Sequence, residues 1–157
     1  MGAKILVVED SPTQAVLLRV LLQKNGYEAK VAVNGKEGVD AAREDKPDLI
    51  ISDIRMGVMD GFEMCRAIKA DERFRDIPVV LLTSLSDSRD VMRGLEVGAD
   101  YYLTKPYNEE HLLSKVRSIL EVPLSQKIVE TEQGLEIAFE GENHVIHATR
   151  IQMLNLL

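Results

Sequence analysis

Over the first 122 residues, short continuous apolar runs alternate with segments of helical spacing, and turn residues stand between them. KILVVE (4–9) is β-branched and apolar throughout, the pattern of a strand covered on both faces. Pro12 suits a first helical turn, and Ala15, Leu18 and Leu22, with Val16, Leu17, Val20 and Leu21, predict a helix closed by Asn25-Gly26. EAKVAV (28–33) predicts a second strand, and Asn34 caps a helix through Val39, Ala42 and Arg43 that stops before Pro47. LIISD (49–53) predicts a third strand, followed by a glycine-containing loop and a helix from about Gly61 to Ala70. IPVVLLTS (77–84) is a fourth strand, Asp87 to Val97 a shorter helix ended by Gly98, and DYYLT (100–104) a fifth strand. Asn108 then caps a last helix over 109–120.

Five strands alternating with five helices imply parallel βαβ units in a three-layer α/β sandwich. The fold expected is a flavodoxin-like, doubly wound five-stranded parallel sheet. Its order 2-1-3-4-5 is taken from known folds of this class rather than derived. Residues 1–122 form this domain, and 123–157 differ in kind. Pro123 breaks the helix and a polar linker follows. LEIAF and HVIH then alternate around Glu140-Gly141-Glu142-Asn143, a β-hairpin pattern. From Thr149, IQMLNLL returns to helical spacing and stops without a cap, as the start of a truncated helix would. An isolated hairpin is marginal in water, so its apolar face needs cover, which favours self-association of the chain as a homodimer through this segment.

Composition narrows the class. With 45% hydrophobic and 29% charged residues the chain is ordinary for a globular protein. A net charge of −7, 4% aromatics, no Trp and no Lys/Arg cluster argue against direct nucleic-acid binding. The lone Cys65 sits in a helical pattern and matches no zinc-ligand spacing, so it reads as a small buried apolar residue. His111, His144 and His147 stand away from the strand ends, and the last two, three apart in a strand, point to opposite faces. The apolar runs are far too short to cross a membrane, no signal segment opens the chain, and Leu6 breaks a myristoylation pattern. A cytoplasmic location is expected.

In an open parallel sheet the functional crevice lies at the carboxyl ends of the strands. Those ends carry Glu9-Asp10, Asp53, Thr83-Ser84 and Lys105. Three converging carboxylates repel one another and need a cation, and an all-oxygen ligand set favours Mg²⁺. Lys105 offsets the remaining charge and can hold a phosphoryl oxygen, with the Thr83 hydroxyl opposite. Such a rim can orient a phosphoryl group toward an attacking carboxylate, giving an acyl phosphate. Taken singly the residues say little: Glu9-Asp10 reads as a solvated turn, Lys105 as a surface cation, Thr83 as a satisfied hydroxyl, Tyr102 as packing. Their joint placement on one rim carries the argument.

The segments ILVVEDSP, DLIISDIRMGVMDGFEMCR, IPVVLLTS and GADYYLTKPY resemble the response-regulator receivers of two-component signalling, across residues 4–120. The resemblance implies a phosphorelay receiver that takes a phosphoryl group on Asp53 from a phosphohistidine donor. Its partner is then a sensor histidine kinase or a phosphotransfer protein. It further implies that Asp10, Asp53 and the Arg55 backbone carbonyl ligate Mg²⁺, with Glu9 acting mostly through water. Thr83 and Lys105 would bind the phosphoryl oxygens, and Tyr102 would be the rotating aromatic of the output switch. A cis Lys105–Pro106 bond is expected on the same ground. The chain is then a phosphoacceptor with autocatalytic phosphorylation and autodephosphorylation, not an enzyme. The loop departs from the family in reading Arg-Met-Gly57 where many members have proline. Arg55 and Leu85, two residues beyond Asp53 and Thr83, are poorly suited to orient an attacking water, so slow dephosphorylation is expected.

An Asp-nucleophile phosphatase of haloacid-dehalogenase type would need an acid where Arg55 stands. A flavin or nucleotide carrier would need a phosphate-cradling loop where EDSPTQ stands. The C-terminal segment resembles the stretch following receivers in some hybrid sensor histidine kinases. The opening of a winged-helix DNA-binding output domain is the alternative.

Overall fold

A computed structural model describes residues 2–83, 92–93, 96–121, 130–131, 134–139 and 142–146. Strands β1 (Lys4–Val8), β2 (Glu28–Ala32), β3 (Leu49–Asp53), β4 (Val79–Thr83) and β5 (Tyr101–Thr104) form one parallel sheet in the order β2-β1-β3-β4-β5, as expected. Helices α1 (Pro12–Lys24), α2 (Gly35–Glu44), α3 (Gly61–Ala70) and α4 (Glu109–Glu121) connect or follow the strands.

The continuous apolar strands follow from cover on both faces. Ile5, Val7, Ile51, Leu82 and Leu103 face one way, against Leu18 and Leu22 of α1 and Leu112 and Val116 of α4. Leu6, Val8, Ile50, Leu81 and Tyr102 face the other, against Val39 of α2 and Phe62, Met64 and Ile68 of α3. Each helix start is fixed by a side chain that accepts an otherwise orphan N–H. Ser11 accepts from Gln14 N at 3.4 Å, Asn34 from Glu37 N at 2.9 Å, and Asn108 from His111 N at 3.1 Å. At α3, Asp60 and Glu63 close a reciprocal capping box.

Differences from the expected elements are small and physical. Glu9 and Val33 lie outside their strands, although Glu9 N still donates to Ala32 O at 3.0 Å. β4 begins at Val79 rather than Ile77, and β5 at Tyr101. On α1 only Ala15, Leu18 and Leu22 are buried, whereas Val16, Leu17 and Val20 are exposed. Of the helix expected over 87–97, residues 92, 93 and 96 are described and helical. Ser84 and Leu85 lie outside the described residues.

In the C-terminal segment, β7 (Gly134–Phe139) and β8 (Glu142–Ile146) pair antiparallel, and β6 (Glu130–Thr131) adds a third strand to the expected hairpin. Glu142 and Asn143, expected in the turn, are strand residues paired with Phe139 and Ala138. Side-chain alternation could not show this, because the ladder is made by backbone groups. The helix start at Thr149 lies outside the described residues. None of the described helices is long and apolar enough to cross a membrane.

Candidate functional site

Parallel register brings the carboxyl ends of β1, β3, β4 and β5 to one rim, and four of the expected residues meet there. Glu9, Asp10 and Asp53 each offer a carboxylate oxygen, all within 4.8 Å of one another. Lys105 Nζ lies 3.0 Å from Glu9 Oε2 and 3.4 Å from Asp53 Oδ1. The three carboxylates differ in setting. Glu9 is buried, Asp53 half-buried and Asp10 exposed. Burial pushes the Glu9 carboxyl above its usual range, while the Ser11 N–H and the Lys105 ammonium pull the other way. Ser11 N donates to Glu9 Oε1 at 3.1 Å, and Ile54 N donates to Asp53 Oδ1 at 3.0 Å, so both carboxylates are held by adjacent backbone.

Thr83 ends β4 and is buried; its carbonyl accepts from Lys105 N at 2.6 Å, joining the hydroxyl-bearing strand end to the lysine. The Lys105–Pro106 bond is cis, as expected. Tyr102 is 2% exposed and pairs in register with Leu81, two residues before Thr83, on the same face of the sheet. The Arg55 side chain points to solvent. The loop carrying it returns to α3 at Gly61, whose N donates to Ile54 O at 2.8 Å. A Cβ there would lie 2.2 Å from the Asp53 carbonyl oxygen, so glycine permits α3 to start directly behind Asp53.

One residue at the site was not anticipated. Gln14, on the first turn of α1, accepts from Lys105 Nζ at 2.7 Å. With Glu9, Leu17, Leu18, Leu82, Lys105, Pro106 and Tyr107 it lines an open cleft of about 480 Å³ beside the carboxylates. No residue type singles it out; the first turn of α1 puts it within reach of the long Lys105 side chain, which follows β5.

The donor set suits a hard divalent cation. All-oxygen ligands at this spacing can close on an ion of Mg²⁺ size with little movement, and the exposed Asp10 leaves room for retained water. A softer metal would call for imidazole or thiolate. Among the described residues, His111 lies on α4 and Cys65 is buried in α3, bonded to Val97 O at 3.4 Å.

Residues 5–117 match the family model of the response regulator receiver domain. The DNA-binding dual master transcriptional regulator RpaA of Synechocystis is 37% identical over 138 residues, 88% of this chain and 56% of that protein. The chain thus spans about half the length of the DNA-binding regulators it matches. The signal receiver domain of a signal transduction histidine kinase from Syntrophus aciditrophicus is 48% identical, with a TM-score of 0.73 over 76% of this chain and 91% of that one. The receiver domain of sensor histidine kinase PA1611 from Pseudomonas aeruginosa, with a magnesium ion coordinated in its active site cleft, is 30% identical. Its TM-score is 0.73 over 78% of this chain and all of that one.

Proposed function

The chain belongs to the response regulator receiver domain family of two-component signalling, and from that premise we propose that Asp53 accepts a phosphoryl group from a phosphohistidine donor. The observation that carries this reading is the gathering of Glu9, Asp10 and Lys105 around the Asp53 carboxylate. A carboxylate oxygen of Asp53 attacks phosphorus, the bond to the donor imidazole breaks, and its electron pair stays on the imidazole nitrogen. The product is an acyl phosphate.

Asp10, Asp53 and the Arg55 carbonyl hold Mg²⁺, with Glu9 behind them. The bound ion supplies positive charge where the phosphoryl oxygens gather. Lys105 donates to one of those oxygens and Thr83 to another, drawing β4 toward the modified strand end. That movement reaches Tyr102 through the face it shares with Thr83, which suits the tyrosine to an output switch. The chain acts as a phosphoacceptor, its own chemistry confined to gaining and losing this group. A phosphatase of haloacid-dehalogenase type fits less well, because an exposed arginine stands where that mechanism needs an acid.

The donor is a sensor histidine kinase or a phosphotransfer protein. Val16, Leu17 and Val20 stand exposed on α1 beside the cleft, an apolar strip to which a donor helix can pack. The segment 123–157 serves as a connector toward a sensor-kinase helix and a contact for self-association.

The test is incubation with acetyl phosphate and magnesium, read by intact mass and by mapping of the modified residue. Modification is expected at Asp53 alone, lost in Asp53→Asn and in Asp10→Ala. Label that persists in Asp53→Asn sinks the assignment.

A further inference from the structure

An ammonium has three N–H donors, and those of Lys105 face three acceptors. They are Gln14 Oε1 at 2.7 Å, Glu9 Oε2 at 3.0 Å and Asp53 Oδ1 at 3.4 Å. The shortest contact is to the neutral amide and the longest to Asp53, so the resting ammonium is drawn toward α1 and away from the reactive carboxylate. A phosphoryl oxygen on Asp53 has to take a donor that is already in use. The three acceptors are not equally easy to leave. Glu9 is 4% exposed, and an ionised carboxylate left without its cation at such a site is costly. Asp53 lies on the side toward which the ammonium must move. Gln14 is exposed and neutral, so losing Lys105 to water there costs only the net worth of one hydrogen bond, less than at Glu9.

We infer that Gln14 is a positioning residue that holds Lys105 in a resting place and opposes its move onto the phosphoryl group. Its bond to Lys105 stabilises the unmodified state only, so it lowers the affinity of the pocket for a phosphoryl group without touching that group. The inference deepens the phosphoacceptor reading and rests on it. It also assigns the position an effect set by reach and acceptor strength, not by polarity. Methionine has similar length and no carbonyl. Asparagine keeps the amide but falls one methylene short. Glutamate keeps the reach and adds charge.

The experiment measures the affinity of the full chain for beryllofluoride with magnesium, by calorimetry, for the unaltered chain and for Gln14→Met, Gln14→Asn and Gln14→Glu. The net worth of a hydrogen bond converts to an expected gain of about three- to tenfold in affinity for Met and for Asn, and a loss for Glu. A second readout needs neither ion. Exchange of the Lys105 ammonium protons with solvent, followed by ¹⁵N NMR in the bare chain, is expected to quicken in Met and Asn and to slow in Glu. A merely structural side chain would not order the variants in this way. Asn behaving like Gln, affinity unchanged or lowered in Met, or unchanged ammonium exchange overturns the inference. An unaltered chain that binds no beryllofluoride overturns the phosphoacceptor reading and this inference with it. Normal binding with no order among the variants overturns the inference alone.

Discussion

Val58→Gly is expected to stabilise the protein, although it removes side-chain atoms. Val58 sits at φ 70° in the loop between Asp53 and α3, and Met59 N donates to Gly57 O across it at 2.8 Å. This is a γ-turn with positive central φ, the rarer and strained form. Left-handed backbone costs an L-residue about 1–2 kcal/mol, and a β-branched side chain is among the least suited to it. Val58 is 81% exposed, so truncation forfeits little burial. Against the relief stands the extra freedom of glycine in the unfolded chain, about 0.5–1 kcal/mol. The balance is a gain of about 0.5–1 kcal/mol, or a rise of a few degrees in Tm for a domain of this size. Urea titration of the unaltered chain, Val58→Gly, Val58→Asn and Val58→Ala checks it. Stability should follow tolerance of positive φ, with Gly highest, Asn between, and Ala close to Val. If Ala stabilises as much as Gly, the gain comes from losing an exposed valine, and the strain argument fails. The neighbouring Gly57 has open space around its Cβ position and no positive φ. The glycine of this pair therefore sits where another residue fits, and the valine where glycine would.

Gly61→Ala should cost about 1–3 kcal/mol and slow phosphorylation by acetyl phosphate, because its Cβ would meet the Asp53 carbonyl; normal stability and rate would refute the close approach. Cys65 is fully buried and its thiol is pushed up to about 12 by burial, so iodoacetamide labelling at pH 8 should track global unfolding, and labelling of the folded chain would contradict it. The raised thiol also sets a sign: the folded form binds the proton longer than the unfolded one, so the stability it contributes is whole below about pH 9 and is lost as pH rises toward 12. Urea melts across that range should show a shallower alkaline decline in Cys65→Ala. Lys69 Nζ donates to Arg75 O at 3.0 Å, Ile77 O at 2.6 Å and Asp100 Oδ2 at 2.8 Å, in a pair only 15% and 11% exposed. Lys69→Met should therefore destabilise by about 3 kcal/mol in a thermal melt, the low end for losing one partner of a buried pair. Deleting 123–157 is expected to leave a monomer in sedimentation that still takes phosphate on Asp53, and a full chain that is itself monomeric would refute self-association.

What the sequence made legible divides by how a residue reaches the rim. A parallel strand covered on both faces must be apolar along its length, so the first polar residue after each run marks where the strand leaves the sheet. Glu9 and Thr83 mark such ends directly, Asp53 and Lys105 stand one residue past the polar Ser52 and Thr104, and register brings all four to the same rim. Neighbouring strands are tied by backbone bonds whose geometry does not depend on side chains, so a position along a strand translates into a position in space. Helix α1 offers no such rule. Its pattern is apolar nearly all round, and nothing in it says that Leu18 and Leu22 face the sheet while Leu17 and Val20 face water. That division is set by which face the helix turns toward β1 and β2, and Gln14 meets Lys105 from the first turn of the same helix. Val58 escaped for a different reason, since residue type limits φ only as a preference and the loop overrides it. Strand ends can thus deliver the shared chemistry of a receiver from sequence alone. The residue that adjusts that chemistry in this chain stands on a helix, where sequence spacing fixes a face but not what the face meets.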